Sequence, residues 1–239
     1  MYKTAAKWLA EAKKTVVITG AGISTESGIP DFRSGNGLYN QKMKGHHSFE
    51  EVLSRTFFNE QPELFYQFYL EHLLHPNAEP NPGHYFLEEM EQSGTEVTVI
   101  TQNIDGLHQR AGSRRIIELH GNAGRVRTQQ GHMYDIKEAV KKKASWEVAG
   151  KWVRPDIVLY GEMLDPLKIE ESIEAVKAAD TLLVMGTSLN VYPAAGLLYE
   201  YTGSRSVLVN KEPTRLDRRF ALSFPEDISS WALKIRKWI

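Results

Sequence analysis

The sequence "GAGISTESGIPDFRS", residues 20–34, directly follows the β-branched run "TVVIT" at 15–19. A strand that ends in Gly-x-Gly is typical of a loop that holds a dinucleotide phosphate, because glycine permits the tight turn and lets backbone N–H groups approach the ligand. A helix expected after the loop would add its dipole. Position 25 is Thr, however, where a dehydrogenase fingerprint has its third glycine. For these residues alone, a plain strand-to-helix turn remains the alternative.

Further runs rich in Val, Ile and Leu recur along the chain without alternating polar residues. They are "EVTVIT" (96–101), "RIIEL" (115–119), "DIVLY" (156–160), "TLLVMG" (181–186) and "SVLVN" (206–210). This pattern is typical of strands buried on both faces, as in a parallel sheet. Helical segments follow several of these strands, at 81–94, 166–180 and 193–204, and the N-terminal residues 1–14 form an amphipathic helix pattern. We therefore predict an α/β fold with a Rossmann-like, doubly wound parallel sheet.

Two stretches interrupt this rhythm. Residues 35–78 contain aromatic-rich helical sequence, and residues 121–155 are polar, basic and weakly patterned. We predict that the two insertions form a small second domain. The large domain would then consist of residues 1–34, 79–120 and 156–239, and the small domain of residues 35–78 and 121–155.

The composition is that of an ordinary globular protein, with 239 residues, 41% hydrophobic residues and a net charge of −1. The balanced charge predicts no nucleic-acid partner, and we interpret the run "KKK" at 141–143 as a solvated helix face. No apolar stretch reaches the roughly 18 residues that a membrane-spanning helix needs, and the N-terminus lacks the pattern of a secretion signal. The chain has no cysteine, which excludes disulfides and a Cys nucleophile and fits a cytoplasmic location.

Polar residues gather at the ends of the predicted strands, where ligands bind in open α/β sheets. Gln102, Asn103 and Asp105 follow one strand, and His120 follows the next. Helix capping is the alternative for a single amide, and a lone His is more often structural than catalytic. A neutral imidazole at this edge could accept a proton from a sugar hydroxyl. "GTSLN" at 186–190 and Asn210 end two further strands and offer donors to phosphate or ribose.

The motifs "GAGISTESGIPDFRS", "TQNIDGLH", "LHGN", "RPDIVLYGE" and "GTSLNVYP" occur in the same order as in sirtuins, the NAD-dependent protein lysine deacylases. The resemblance runs from about residue 4 to near the C-terminus. It implies a Rossmann-like large domain, a small domain made by two insertions, NAD in the cleft and an acylated lysine peptide between the domains.

The resemblance also implies roles for residues at matching positions. His120, as general base, and Asn103 would be catalytic. Residues implied to contact NAD are Gly20, Ala21, Gly22, Ser24, Thr25, Asp31, Phe32, Arg33, Gln102, Asn103, Ile104, Asp105, Gly186, Thr187, Ser188, Asn210, Glu212 and Ile228. Residues implied to hold the substrate peptide as an added strand are Val158, Tyr160, Gly161, Glu162 and Val191.

The sequence departs from the family pattern at two places. Thr128, Gly131, Trp146 and Ala149 occupy the positions of the zinc-binding cysteines. Because these side chains cannot replace thiolates, we predict no zinc. Trp146 and Trp152 would fill the vacated space. In the acyl pocket, Tyr69 and His72 stand where desuccinylating sirtuins carry Tyr-x-x-Arg, which favours acetyl or apolar acyl groups. A low-turnover NAD or ADP-ribose binding module and a protein ADP-ribosyltransferase are the alternative functions.

Overall fold

The structure is a computed structural model that describes residues 1–32, 37, 47–190 and 194–239. Its larger unit is built on a six-stranded parallel sheet with the strand order β11-β10-β9-β1-β2-β3. The strands are β1 (Lys14–Thr19), β2 (Glu96–Thr101), β3 (Ile116–Glu118), β9 (Thr181–Met185), β10 (Ser206–Val209) and β11 (Leu222–Phe224). The chain order reverses on either side of β1, as in a doubly wound sheet. The predicted fold class is therefore present in the structure.

Helices cover both faces of this sheet. One apolar cluster joins the sheet to α1 (Tyr2–Glu11), α5 (Pro82–Gln92) and α9 (Ile228–Ile235). The opposite face packs against α7 (Pro166–Ala178) and α8 (Ala194–Leu197). Within β1 the two faces alternate, since Val17 belongs to the first cluster and Val16 and Ile18 to the second. The short helix α6 (Leu107–Ala111) begins just after the carboxyl end of β2.

The second unit is an antiparallel sheet with the order β5-β4-β8-β7-β6. Its strands are β4 (Gly121–Arg127), β5 (Met133–Asp135), β6 (Val140–Lys141), β7 (Trp146–Val148) and β8 (Lys151–Ile157). A helical module packs against it and consists of α2 (Phe49–Val52), α3 (Arg55–Glu60), α4 (Pro62–Phe68) and a π-helical turn at Tyr69–Leu73. Module and sheet share one buried aromatic core. The two interruptions of the sequence thus pack together, while the predicted domain boundaries stay a prediction.

The strand predicted at 156–160 belongs to this second sheet. Only Asp156 and Ile157 of that run are in a strand, where they end β8 and pair antiparallel with β4. Buried apolar runs of parallel and antiparallel strands look alike in sequence, and periodicity does not separate them. Conversely, β11 was not predicted, because its three residues are too few to form a pattern.

The helix expected after the glycine loop is replaced by two short 3₁₀ turns, Ala21–Ile23 and Thr25–Ser27. The side-chain amide of Asn81 donates to the Ile23 carbonyl at 2.7 Å, so this carbonyl is hydrogen-bonded to a side chain and not to a following turn of helix. The prediction of a solvated helix face at 141–143 is also wrong, since Lys141 ends β6 and the next residues form the turn to β7. No helix among the described residues is long and apolar enough to cross a membrane.

Candidate active site

The carboxyl ends of β1 and β9 meet at the centre of the parallel sheet, where the strand order reverses. The Gly20 N–H donates to the Met185 carbonyl at 3.2 Å, and the Gly22 N–H donates to the Gly186 carbonyl at 2.8 Å. A Cβ on Gly186, which has φ +63°, would lie 2.4 Å from the Ile23 nitrogen. Glycine is therefore needed here for the contact between two loops. The N–H groups of Gly20 and Gly22 are already donated within the protein, contrary to the role expected for them toward a phosphate.

Ser24, Asn103 and Asp105 form one hydrogen-bonded group beside this contact. The Ser24 hydroxyl donates to Asp105 Oδ2 at 2.7 Å, and Asn103 Nδ2 donates to Ser24 Oγ at 3.2 Å and to the Gly20 carbonyl at 3.1 Å. Asp105 Oδ1 accepts the Leu107 N–H at 2.9 Å, so Asp105 also satisfies the first backbone N–H of α6. The amide of Asn103 is oriented by its carbonyl acceptor, which leaves Oδ1 as an acceptor with no partner among the described residues.

Burial acts on the carboxyl group in this cluster. It raises the pKa of Asp105 above the usual value, while hydrogen bonds from the Leu107 N–H and the Ser24 hydroxyl act in the opposite direction. Both hydrogen bonds favour the ionised carboxylate. The group is thus a partly buried acceptor with fixed donors on both oxygens.

Gln102 links the centre of the sheet to His120. Its Nε2 donates to the Thr187 hydroxyl at 3.1 Å, which couples β2 to the loop after β9. Its carbonyl lies 2.8 Å from His120 Nδ1. Because a carbonyl can only accept, Nδ1 carries the hydrogen, and Nε2 of the neutral ring is left with a lone pair. No described residue hydrogen-bonds Nε2.

Burial determines the charge of His120. It lowers the pKa of the imidazole below its usual value, and the hydrogen bond to the Gln102 carbonyl opposes this only in part. The ring is consequently neutral near pH 7. A neutral ring with a fixed tautomer and an open Nε2 is suited to accept a proton.

A second layer of polar residues lies beneath the site and was not predicted from the sequence. His108 Nε2 lies 3.0 Å from the Thr19 hydroxyl, which donates to Thr101 Oγ1 at 2.9 Å, and Thr101 Oγ1 accepts the Asn103 N–H at 3.0 Å. The His84 ring packs against His108 with a centroid separation of 4.9 Å. Burial lowers the pKa of His84 to about 4 and that of His108 well below its usual value. Thr19 and Thr101 each end a strand, and this placement could have indicated the layer from the sequence. Hydroxyl residues at strand ends are, however, too common to single out these two.

The residues predicted for the adenosine side lie at the ends of β9 and β10. Thr187 is buried and Ser188 is half-buried, and Asn210 donates from Nδ2 to the Glu212 carbonyl at 2.5 Å. Ile228 is only 3% exposed, and its side chain lies between Gly83 and Gly186. It therefore belongs to the core beneath the glycine loop. This position does not support a direct contact between the Ile228 side chain and a ligand.

Phe32 and Ile104 are partly buried and pack against the aromatic core of the second unit. Ile104 directly precedes Asp105 of the polar cluster, and Asp31 precedes Phe32 at a similar, intermediate burial. Thr25, at the turn, donates its hydroxyl to the Gly22 carbonyl at 3.1 Å, and Ala21 is half-buried. Arg33 and Val191 lie outside the described residues.

The segment predicted to bind peptide, 158–162, follows β8 and passes His120. The Val158 N–H donates to the His120 carbonyl at 3.0 Å. The Tyr160 N–H donates to the Leu53 carbonyl, and the Tyr160 carbonyl accepts the Arg55 N–H, both at 2.9 Å. One edge of the segment is therefore taken by the helical module. The Val158 carbonyl and the backbone groups of Gly161 have no hydrogen-bond partner among the described residues.

The residues predicted for the acyl pocket are placed differently from each other. Tyr69 is fully buried, and its hydroxyl donates to the Ala123 carbonyl at 2.7 Å. His72 is partly exposed beside Glu71 and packs edge-on against Phe49. Tyr69 is thus part of the closed aromatic core in this structure and is not open to a ligand.

Three of the four positions aligned with zinc ligands lie in turns, and the fourth lies in the core. Thr128 and Gly131 belong to one turn, Ala149 belongs to another, and Trp146 is the core residue. The Thr128 N–H donates to the His132 carbonyl at 3.0 Å, and Thr128 Oγ1 accepts the His132 N–H at 3.2 Å. Ala149 and Gly150, with φ values of 48° and 74°, form the two-residue turn between β7 and β8. This pair of positive φ values is typical of a tight hairpin turn. Among the described residues, no group of three or more His, Cys, Asp or Glu could hold a metal ion.

Trp146 is the core residue at the remaining position. It is fully buried, stacks on Tyr66 at 4.5 Å between ring centroids, and meets Tyr69 edge-on at 5.7 Å. Trp152 does not share this role, because it is 39% exposed on the surface of the same sheet. Trp146 therefore packs inside the core of the second unit, whereas the prediction that Trp152 also fills space there is wrong.

A model of the Sir2 family matches residues 20–193 of the chain. The chain belongs to the Sir2 family. This sirtuin is 43% identical over 226 residues to an NAD-dependent protein deacetylase of Clostridium acetobutylicum, and the alignment covers 93% of this chain and 92% of that protein. It is also 43% identical over 227 residues to NAD-dependent protein deacylase 2 of Archaeoglobus fulgidus, with coverages of 91% and 88%.

Solved Sir2 structures share the fold of this sirtuin. A complex of Sir2 with a p53 peptide and NAD⁺ superposes with a TM-score of 0.84 at 36% identity, covering 99% of this chain and 98% of that one. A variant Sir2 with a deacetylated p53 peptide and 3′-O-acetyl ADP-ribose gives a TM-score of 0.87 at 36% identity, with coverages of 98% and 97%. The family and the fold class predicted from the sequence are thereby confirmed.

Proposed function

We propose that this sirtuin is an NAD-dependent protein lysine deacylase that releases nicotinamide and forms O-acyl-ADP-ribose. The single observation that carries the proposal is the state of His120. Its Nδ1–H is fixed on the Gln102 carbonyl, and its Nε2 is open at the carboxyl edge of the sheet. The relatives that share most of the chain's length are NAD-dependent protein deacetylases and deacylases.

The donor set around the sheet's centre fits NAD. A dinucleotide needs hydroxyl and amide donors for its phosphates and riboses, and Ser188, in the loop after β9, offers a half-buried hydroxyl there. The open Oδ1 of Asn103 can accept from the carboxamide of a nicotinamide ring. Because the N–H groups of Gly20 and Gly22 and the hydroxyls of Ser24 and Thr25 already donate within the protein, we propose that Ser188 and the remaining loop amides hold the phosphates.

Bound NAD supplies the activated ribose carbon from which nicotinamide departs and to which the acyl-lysine amide oxygen adds. His120 Nε2 then takes a proton from a ribose hydroxyl, and such general-base help is worth roughly 10²–10⁴-fold in rate. Phe32 and Ile104, at the edge of the aromatic core, exclude water from this carbon. Asn103, held by Ser24 and the Gly20 carbonyl, orients the leaving ring.

The substrate in this proposal is an acylated lysine in an extended peptide. The open backbone groups of Val158 and Gly161 offer hydrogen bonds to an added strand, on a segment whose other edge is already paired with the helical module. We propose acetyl or apolar acyl groups, since α4 and the following π-helical turn carry no Arg or Lys that could bind an acidic acyl chain. A cytoplasmic location stays a prediction, to be checked by fractionation of the source cells.

Mass spectrometry after incubation with NAD and an acetyl-lysine peptide tests the proposal. We expect loss of the acyl group, appearance of acyl-ADP-ribose, and nicotinamide release that requires the acyl peptide. Gain of ADP-ribose on the peptide would instead show a transferase, and NAD binding without release of nicotinamide would show a binding module. Faster removal of succinyl than of acetyl groups would contradict the proposed acyl preference.

A further inference from the structure

Arg154 and Glu162 form an ion pair that has no role in the proposed reaction steps. Arg154 lies in β8 and Glu162 ends the segment 158–162, and their side chains are only 14% and 13% exposed. Two nitrogens of the guanidinium face the two carboxylate oxygens, with Nη2 and Oε2 at 3.2 Å. Such a two-point contact fixes the relative orientation of both side chains as well as their distance.

The same two side chains also hold the backbone between them. Arg154 Nη2 donates to the Ile157 carbonyl at 3.2 Å, and Glu162 Oε2 accepts the Leu159 N–H at 3.0 Å. The Glu162 N–H donates to the Leu159 carbonyl at 2.9 Å. The pair therefore bends the chain from Ile157 to Glu162 into one defined shape. The carboxylate of Glu162 accepts three hydrogen bonds in this arrangement, while its direct contact with substrate stays a prediction.

The shape set by the pair decides which backbone groups of the segment stay open. The N–H and the carbonyl of Leu159 are hydrogen-bonded to Glu162, and both backbone groups of Tyr160 are hydrogen-bonded to the helical module. What remains without a partner among the described residues is the Val158 carbonyl, the backbone of Gly161 and the carbonyl of Glu162. Gly161 has φ +86°, a left-handed conformation that glycine adopts without strain.

The pair is not arranged for stability alone. Arg154 Nε is buried without a hydrogen-bond partner. Buried ion pairs often contribute little net stability, because removing both charges from water offsets their attraction. Burial alone would raise the pKa of Glu162, but the hydrogen bonds from Arg154 and the Leu159 N–H together lower it, so the carboxylate is ionised near pH 7. Arg154 also lies over the Phe58 ring, 5.0 Å from its centroid, which joins the pair to the helical module.

We propose that Arg154 and Glu162 are positioning residues for the substrate peptide, which they serve by presenting the open backbone edge of Val158 and Gly161. This inference rests on the proposed function. It predicts that loss of the pair weakens peptide binding while the binding of NAD is retained.

The test uses a fluorescent acetyl-lysine peptide and the full chain. Binding is measured by anisotropy, and KM values for peptide and NAD are measured separately. We expect Glu162→Gln and Arg154→Lys to weaken peptide binding roughly tenfold or more, equivalent to about 1.4 kcal/mol. The KM for NAD should stay within about twofold, a change of less than half a kcal/mol. Glu79→Gln is the matched control, because it removes the same charge from the exposed pair with Arg110.

A double variant separates positioning from stability. Arg154→Met with Glu162→Leu removes both charges, a change that often leaves stability intact or improves it. We expect it to unfold near the wild-type temperature yet to bind peptide as weakly as Glu162→Gln. Wild-type peptide affinity in this double variant would overturn the proposal, and so would equal losses of peptide and NAD affinity in the single variants. Peptide binding without deacylation by the wild type would refute the proposed function and leave this inference standing, whereas failure of the wild type to bind the peptide would refute the inference.

Discussion

Replacing Trp146 by Ala tests whether aromatic packing holds the small sheet in place of a metal. Trp146 is completely buried, stacks on Tyr66 and meets Tyr69 edge-on. Truncating a buried Trp to Ala typically lowers the free energy of unfolding by about 3–5 kcal/mol, and each aromatic pair contributes about 0.5–1.5 kcal/mol beyond buried area. We expect a loss near the upper end, about 4–5 kcal/mol. For a chain of this size that corresponds to a drop in Tm of roughly 8–20 °C.

Thermal unfolding followed by near-ultraviolet circular dichroism measures this loss, and Trp152→Ala is the control. Trp152 lies in the same sheet but is 39% exposed, and its nearest ring, Phe58, is 6.4 Å away between centroids. Its replacement should cost about 1 kcal/mol or less. Equal losses in the two variants would refute the reasoning. A fall in the Tm of the wild type on adding a chelator would refute it as well, because a structural zinc contributes about 10–16 kcal/mol of apparent binding free energy.

Two further predictions concern the site. Gly186→Ala should abolish NAD binding in calorimetry, because the new Cβ would lie 2.4 Å from the Ile23 nitrogen. Gly28→Ala should retain NAD binding, because its Cβ would have nothing within 4 Å. Equal NAD affinities of the two variants would contradict the proposed role of the contact between the loops. Stability should fall on acidification, because the unfolded chain protonates His84 near pH 6.5 while the folded protein does so only near a pKa of about 4. At 1.36 kcal/mol per pH unit this amounts to about 2 kcal/mol between pH 7.5 and 5 in urea unfolding. A His84→Gln variant should lose that part of the pH dependence, and a variant of the exposed His132 should keep it; no difference between them would refute the assignment.

The sequence predicted the parallel sheet because its strands are buried on both faces and therefore form continuous apolar runs. The same pattern misled at 156–160, where a buried strand belongs to the antiparallel sheet. What distinguishes the two is pairing with β4, a contact between distant parts of the chain that no local pattern encodes. The three residues of β11 were too short to be noticed at all.

The candidate site was predictable where residues end strands of one parallel sheet. Ser24, Asn103 and Asp105 meet as expected, since the carboxyl ends of neighbouring parallel strands lie at one edge. The role of the glycines was not predictable, because it depends on how closely the loops after β1 and β9 approach each other. The ion pair between Arg154 and Glu162 was equally unpredictable, since the two residues are eight positions apart and neither position belongs to a periodic pattern.

A crystal structure of this sirtuin with NAD and an acetyl-lysine peptide tests the central claim most directly. We expect a hydroxyl of the nicotinamide ribose within about 2.6–3.2 Å of His120 Nε2, the distance at which a base can take its proton. The acyl oxygen should face the ribose carbon, with Asn103 beside the nicotinamide. A dinucleotide bound away from the carboxyl edge of the parallel sheet, with His120 out of reach of its sugar, would contradict the account.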